Sequence, residues 1–272
     1  MSAEKISFHH IRNATEILIY NSLRILIDPM LAPKSFYPGF EQAPTLEQKK
    51  KRLPLVDLPI PIEEIVKDLD AVIVTHTHVD HHVDHWDEFA AKAIPKYIPI
   101  FVQNASDKKL IVGQGFQDMR VVGVNTPFKG ITITKTGAQH GDDEMMSIPS
   151  LAEVNYDCMG FVLKSPGQKT MYFASDTVWH EYVELALKKH KPDIIVINGA
   201  LTRYEEFSGS CMMGTDDIKK LYEMCKESKI IPVHMDSYPH CTYTTKTMKK
   251  FVEDNKYQDR VIVPVDGEKF EL

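Results

Sequence analysis

The sequence predicts an α/β fold in which short apolar strands deliver metal-binding side chains to one edge of a pair of sheets. Three observations carry this expectation. The β-branched run Ala71–Val74 ends abruptly in Thr75-His76-Thr77-His78-Val79-Asp80-His81, a knot of imidazoles and carboxylate at a strand end. His140, Asp176 and His234 each directly follow another apolar, strand-like run. Both halves of the chain share a rough layout of hairpins followed by strand–helix units.

Composition fits a globular protein. With 272 residues, of which 43% are hydrophobic and 26% charged, the chain is long enough for a sizeable core. No linker, low-complexity segment or short repeat divides it, so one domain over 1–272 is expected, with a loop insertion at about 31–61. No apolar run approaches the roughly 20 residues that cross a bilayer, and no secretory h-region opens the chain. The four scattered cysteines, Cys158, Cys211, Cys225 and Cys241, read as reduced thiols of a cytoplasmic protein. A net charge of −6 argues against nucleic acid as a partner. A small-molecule substrate is expected, no membrane, and a homo-oligomer is left open.

Taken in order, Ile6–Phe8, Glu16–Tyr20 and Leu23–Ile27 read as antiparallel strands, with Asn21-Ser22 as a tight turn. Asp28-Pro29 closes the third strand, because proline cannot continue a central ladder. Asp28 is expected to be a turn or supporting residue. The segment from Leu31 to Pro61 is rich in proline and carries the basic run Lys49–Arg52, which marks a long loop. Its apolar tip, Phe36, Tyr37 and Phe40 around Pro38-Gly39, needs something to dock on. It is expected to be a substrate lid, to pack on the body or to support a subunit contact. Ile62–Leu69 reads as a short helix feeding the Ala71 strand. Asp84–Ala93 reads as a helix stopped by Pro95, which places His82 and His85 outside the ligand pattern.

Ile100–Val102 and Val121–Val124 read as strands around a helix at Ser106–Gly113. Ile131–Thr134 runs as a strand towards Gly137-Ala138-Gln139-His140-Gly141. Met159–Leu163 and Lys169–Ala174 flank the turn Ser165-Pro166-Gly167 as a hairpin, and Ser175-Asp176-Thr177 ends the second strand. Helices follow at Glu181–His190, at Asp216–Cys225 capped by Thr215, and at Thr245–Asp254. Strands are expected at Asp193–Ile197, Ile230–Val233 and Arg260–Val265.

The chemistry lies in the pattern His-x-His-x-Asp-His. Neutral imidazole and carboxylate suit zinc, manganese or iron. Four donors within six residues exceed what one ion takes without strain, so two divalent ions are expected, zinc or manganese before iron. One division places His76, His78 and His140 on the first ion and Asp80, His81 and His234 on the second, with Asp176 bridging. Asp80 and Asp176 are the expected catalytic carboxylates. No organic cofactor is indicated.

The order of these motifs, with Asp176 in a Ser-Asp-Thr context and His234 last, resembles the metallo-β-lactamase fold superfamily over nearly the whole chain. Thr75–Asp80, Asn198-Gly199-Ala200 and Met213-Gly214 resemble the branch that contains L-ascorbate-6-phosphate lactonase. The resemblance implies a four-layer αβ/βα sandwich with a dinuclear site at one edge of the sheets.

Two divalent ions outweigh the two carboxylates, which leaves the pocket cationic. A metal-bridging hydroxide acting on a small anionic lactone, ester or phosphodiester is therefore the expected activity. Asp80 would also move a proton to the leaving group. The alternative is a metal-dependent oxidoreductase of the persulfide dioxygenase type, which keeps the same ligands. An RNA nuclease is less expected, since the surface lacks an extended basic face. Tyr204, Tyr238 and His240 are candidates to reach the substrate. Trp86 and Trp179 are expected to floor the site, while His9, His10, His180 and His190 are expected to be surface or supporting residues.

Overall fold

A computed structural model describes residues 5–77, 83–147, 157–205 and 208–272. Two sheets, each apolar on both faces, organise it. The first contains β1 (Ser7–Arg12), β2 (Thr15–Tyr20), β3 (Leu23–Ile27), β6 (Ala71–Val74), β7 (Ile100–Val102), β8 (Met119–Val121) and β15 (Lys269–Glu271), in the order β15-β1-β2-β3-β6-β7-β8. The second contains β9 (Thr126–Phe128), β10 (Ile131–Thr136), β11 (Gly160–Lys164), β12 (Met171–Phe173), β13 (Ile194–Asn198) and β14 (Lys229–Val233), in the order β14-β13-β12-β11-β10-β9. β4 (Tyr37–Gly39) and β5 (Arg52–Leu53) form a separate small hairpin, and α1 (Leu46–Lys49) is a single turn between them.

Alternation along the strands produces the layers, because successive side chains point to opposite faces. Leu18, Ile25, Ile73 and Phe101 of the first sheet meet Ile133, Phe161, Phe173 and Val196 of the second in the central core. The opposite faces are covered by helices. Ile17, Leu26, Val72, Val74 and Ile100 pack under α2 (Ile62–Ile65), α3 (Glu88–Ala93) and α4 (Ala105–Gly113). The short α5 (Asp143–Met146) contributes Met145 to the core on the far side of the second sheet. There Val162, Tyr172, Ile195 and Ile197 pack under α6 (Glu181–His190), α7 (Thr215–Met224) and α8 (Thr245–Asp254). The result is the expected four-layer sandwich of the metallo-β-lactamase fold. No helix among the described residues is long and apolar enough to cross a membrane.

The Asn21-Ser22 turn has positive φ at both positions, 51° and 60°, as a two-residue hairpin requires. Several expected elements differ. The 31–61 segment is not structureless, since it holds the β4–β5 hairpin and α1. Its tip is docked, with Phe40 buried and Phe36 edge-on against Phe89 at 4.8 Å. The helix expected from Asp84 starts only at Glu88, because the Asp87 carboxylate accepts the Ala90 N–H and caps it there. Gly214, not Thr215, precedes α7, and its N–H is held by Asp217. Arg260–Val265 makes only a single bridge, Val261 to Ile230. The last strand is instead Lys269–Glu271, antiparallel to β1.

Of the two places expected for His10, surface or supporting, it does not take the first. It is buried between Glu16 and Asp266, at 3.5 Å from each. Burial lowers its pKa, but those two carboxylates outweigh the effect and push it up to about 9.

Candidate metal centre

The candidate site is assembled from strand ends that the topology brings to one edge. β3 and β6 run parallel and side by side, so Asp28 at the end of one lies beside Thr75 at the end of the other. β12, β13 and β14 are likewise parallel neighbours, and their ends present Asp176, Asn198 and His234 together. Asp28, Ser175 and His234 have positive φ of 42°, 62° and 68°. Left-handed backbone at non-glycine residues is uncommon and costs about 1–3 kcal/mol. Here it turns the chain sharply as each strand stops. After His140, Gly141 adopts φ 128°, and a Cβ there would meet Met145 Sδ at 2.7 Å.

Asp176 is the centre of the cluster. Its Oδ2 lies 3.2 Å from His85 Nε2, 3.6 Å from His140 Nε2, and 3.8 Å from both His76 Nε2 and His234 Nε2. Its Oδ1 accepts a hydrogen bond from the Asn198 amide. Asp84 Oδ2 adds a second carboxylate, 3.3 Å from His234 Nε2. These four histidines and two aspartates are all buried. They fall into two sets, Asp84, His85, Asp176 and His234, and His76, His140 and Asp176, with the donor atoms of each set within 4.8 Å of one another. Asp176 belongs to both.

A second layer orients the imidazoles. Asp28 accepts the Thr75 N–H through Oδ1 at 2.7 Å and the Thr75 hydroxyl through Oδ2 at 2.8 Å. The same Oδ2 lies 2.8 Å from His85 Nδ1. A carboxylate can only accept there, so His85 carries a proton on Nδ1, which leaves Nε2 as the atom a metal would take. Thr75 Oγ1 stands 3.0 Å from His76 Nδ1 and orients that ring in the same sense. On the other side, the Asn13 backbone carbonyl accepts the His234 backbone N–H at 2.8 Å, and the Asn13 side-chain amide donates to the Asp84 backbone carbonyl at 3.2 Å, which fixes the main chain that carries both ligands. The expectation for Asp28 as a supporting residue is met in this geometry.

In the protein alone, the carboxylates and imidazoles of the cluster compensate one another. Burial pushes the Asp176 and Asp84 carboxyls up, but the surrounding imidazoles outweigh it and hold both well below the usual carboxylate range. Burial lowers the His85 and His234 pKa values, and the carboxylates outweigh it, so both are raised well above the ordinary value. Nitrogen and carboxylate donors without thiolate fit zinc, manganese or iron. Cys158 stays in a supporting position, its thiol donating to the Asp176 carbonyl at 2.8 Å.

Of the expected ligands, His76, His140, Asp176 and His234 are brought together. His78, Asp80 and His81 lie outside the described residues, as does His82. Asp84 and His85 are not among the expected ligands, and the sequence pattern puts His85 on a helix away from the site. The chain does contain a signal for them, because His78-Val79-Asp80-His81 is followed at once by His82-Val83-Asp84-His85. The expectation of no short repeat therefore needs correction, since a tandem His-Val-Asp-His supplies the Asp-His pair twice. Trp86 also differs from expectation. It packs on Phe116 and donates to Gln114 on the outer face of the first sheet, not on the floor of the site.

Residues 23–235 match the Beta-lactamase superfamily domain, and the chain belongs to that superfamily. UPF0173 protein YddR of Bacillus subtilis is 38% identical over 260 residues, covering 96% of this chain and 97% of the relative. A possible metal-dependent hydrolase from Veillonella parvula superposes with a TM-score of 0.94 at 42% identity, covering 99% and 100% of the two chains. The isothiocyanate hydrolase from Delia radicum gut bacteria superposes at 0.90 with 36% identity, covering 98% and 100%. The chain is thus a member of the Beta-lactamase superfamily with a buried histidine–aspartate cluster of the kind that holds metal ions.

Proposed function

We propose that the protein hydrolyses a small electrophilic substrate at a dinuclear centre, and that an isothiocyanate is the substrate class it fits best. The observation that carries the dinuclear reading is the single Asp176 oxygen surrounded by four imidazole nitrogens at 3.2–3.8 Å. His76 and His140 would hold one ion, zinc or manganese, and Asp84, His85 and His234 the other, with Asp176 shared. Two ions held there would lower the pKa of water towards about 7 and polarise the bond under attack.

The remaining work falls to the protein. Asp28 and Thr75 keep the His85 and His76 Nε2 atoms aimed inward. Asp84, against His234, is the carboxylate placed to accept a proton from the attacking water and return it to the leaving group. That is the role the spacing gives to Asp80, and the pair Asp80–His81 with His78 is the second reading of the same positions.

For an isothiocyanate R–N=C=S, the water oxygen bonds to the central carbon and one water proton goes to nitrogen, forming a thiocarbamic acid. The C–N bond then breaks, the remaining proton moves to nitrogen, and the products are R–NH2 and carbonyl sulfide. The similarity to an isothiocyanate hydrolase over nearly the full length of both chains supports this class. An anionic lactone, ester or phosphodiester draws its support from the cationic charge of a loaded centre and from short motifs.

A panel of methyl isothiocyanate, a sugar-phosphate lactone and a phosphodiester, offered to the zinc- and manganese-loaded protein, separates these classes. Release of amine and carbonyl sulfide is the expected result. Turnover of the lactone or phosphodiester alone would replace the isothiocyanate reading.

A further inference from the structure

The hairpin of the 31–61 segment encloses a cavity of about 290 Å³ lined by Tyr37, Phe40, Leu53 and Val83, with Glu41 and Gln42 at its polar side. This cavity neighbours the metal centre. Val83 immediately precedes Asp84. The Phe40 ring lies 4.5 Å from the His240 ring, His240 is 5.4 Å from Tyr238, and Tyr238 is 6.5 Å from His234.

The cavity is held in place from below. Buried Arg12 donates to the carbonyls of Met30, Ala32 and Val56, pinning both roots of the segment. The Asp87 carboxylate accepts the N–H groups of Leu31 and Ala32 at 2.8 and 2.7 Å. The Leu55 N–H donates to the Ser237 carbonyl at 2.9 Å, and Gln48 donates to the Pro239 carbonyl at 2.6 Å. The stretch that carries His234 and His240 therefore also carries the roof. A pocket on such a frame is preformed, so its shape can select.

Resting on the isothiocyanate reading above, we infer that this cavity receives the apolar arm R of the substrate and sets its preferred size. Among the described lining residues there is no lysine or arginine, and one carboxylate, Glu41, is present. An anionic arm would lose its hydration there with no cation in return. An apolar arm instead gains about 25 cal/mol for each Å² it removes from water. An apolar cavity of about 150 Å³ holds a benzene ring. One of about 290 Å³ accommodates a ring and a short linker, or a chain of several carbons. Phe40 and Leu53 are thus specificity-determining residues, with Phe40 linked to His234 through the His240 and Tyr238 rings.

The experiment has two arms. In the first, kcat/KM is measured for methyl, n-butyl and benzyl isothiocyanate in the metal-loaded wild type, in Leu53→Phe and in Leu53→Trp. The expected result is a rise of at least about tenfold from methyl to benzyl in the wild type, carried by KM. That benzyl-to-methyl ratio should fall in Leu53→Phe and collapse towards one in Leu53→Trp. A ratio near one in the wild type, or one unchanged by both fillings, overturns the assignment.

In the second arm, binding of 4-fluorobenzyl alcohol, which cannot react, is followed by ¹⁹F line broadening. Broadening by the wild type that Leu53→Trp removes, with metal content and Tm retained, supports the pocket even if no isothiocyanate is turned over. In that case the reaction reading fails alone. Absence of broadening by the wild type rejects the pocket even if isothiocyanates are hydrolysed.

Discussion

Asp176→Ala is expected to abolish hydrolysis, lowering kcat/KM by about 10³-fold or more. Loss of a group that merely supports a ligand costs about 10–100-fold in metal affinity or activity, and in the proposed dinuclear centre Asp176 would contact both ions itself. It is the one residue common to the two sets of donors. Removing it leaves each set a donor short and strips a buried negative charge from among four imidazoles. Asp176→Asn separates the two effects, since it keeps a polar partner for Asn198 while removing the charge. Both variants should fold, because the side chain lies at a strand end and not in the central core. Metal content should fall together with activity, and activity within tenfold of wild type in either variant would contradict the bridging role.

The second large effect concerns the two copies of His-Val-Asp-His. Asp84→Ala with His85→Ala should lower kcat/KM by more than about 100-fold and remove one of the two ions. Asp80→Ala with His81→Ala should stay within about tenfold and keep both ions. The difference follows from the placement of Asp84 Oδ2 against His234 and of His85 Nε2 against Asp176, backed by Asp28 on the far side of the His85 ring. The reverse outcome would return the second ion to the pair that directly continues the His76-Thr77-His78 spacing.

That choice marks where the sequence stops being informative. Strand ends are legible, because a β-branched apolar run that breaks at once into a ligand-type residue is a purely local pattern. His76, His140, Asp176 and His234 all stand out in that way, and parallel pairing of β12, β13 and β14 then brings the last two together. Asp84 and His85 lie well beyond the end of the strand at Val74, in a stretch whose composition reads as a helix start. The helix starts at Glu88 with Asp87 as its cap, which leaves both residues in the loop before it. Choosing Asp87 over Asp84 as the cap needs the structure, since both are of a capping type.

The 31–61 segment is legible as an insertion with an apolar tip, but not as a docked hairpin. Its partners, Arg12 and the Ser237–Pro239 stretch, are far away in sequence. The same holds for His10, whose burial depends on Asp266 arriving from the far end of the chain. Contacts that close over such distances leave no local periodicity to read.

Elemental analysis of the wild-type protein, purified without chelator and then dialysed against zinc or manganese, tests the central claim most directly. Two ions per chain are expected, falling to one in the Asp84/His85 double variant. A wild-type stoichiometry that saturates at one ion per chain would contradict the dinuclear centre, while leaving the fold as described.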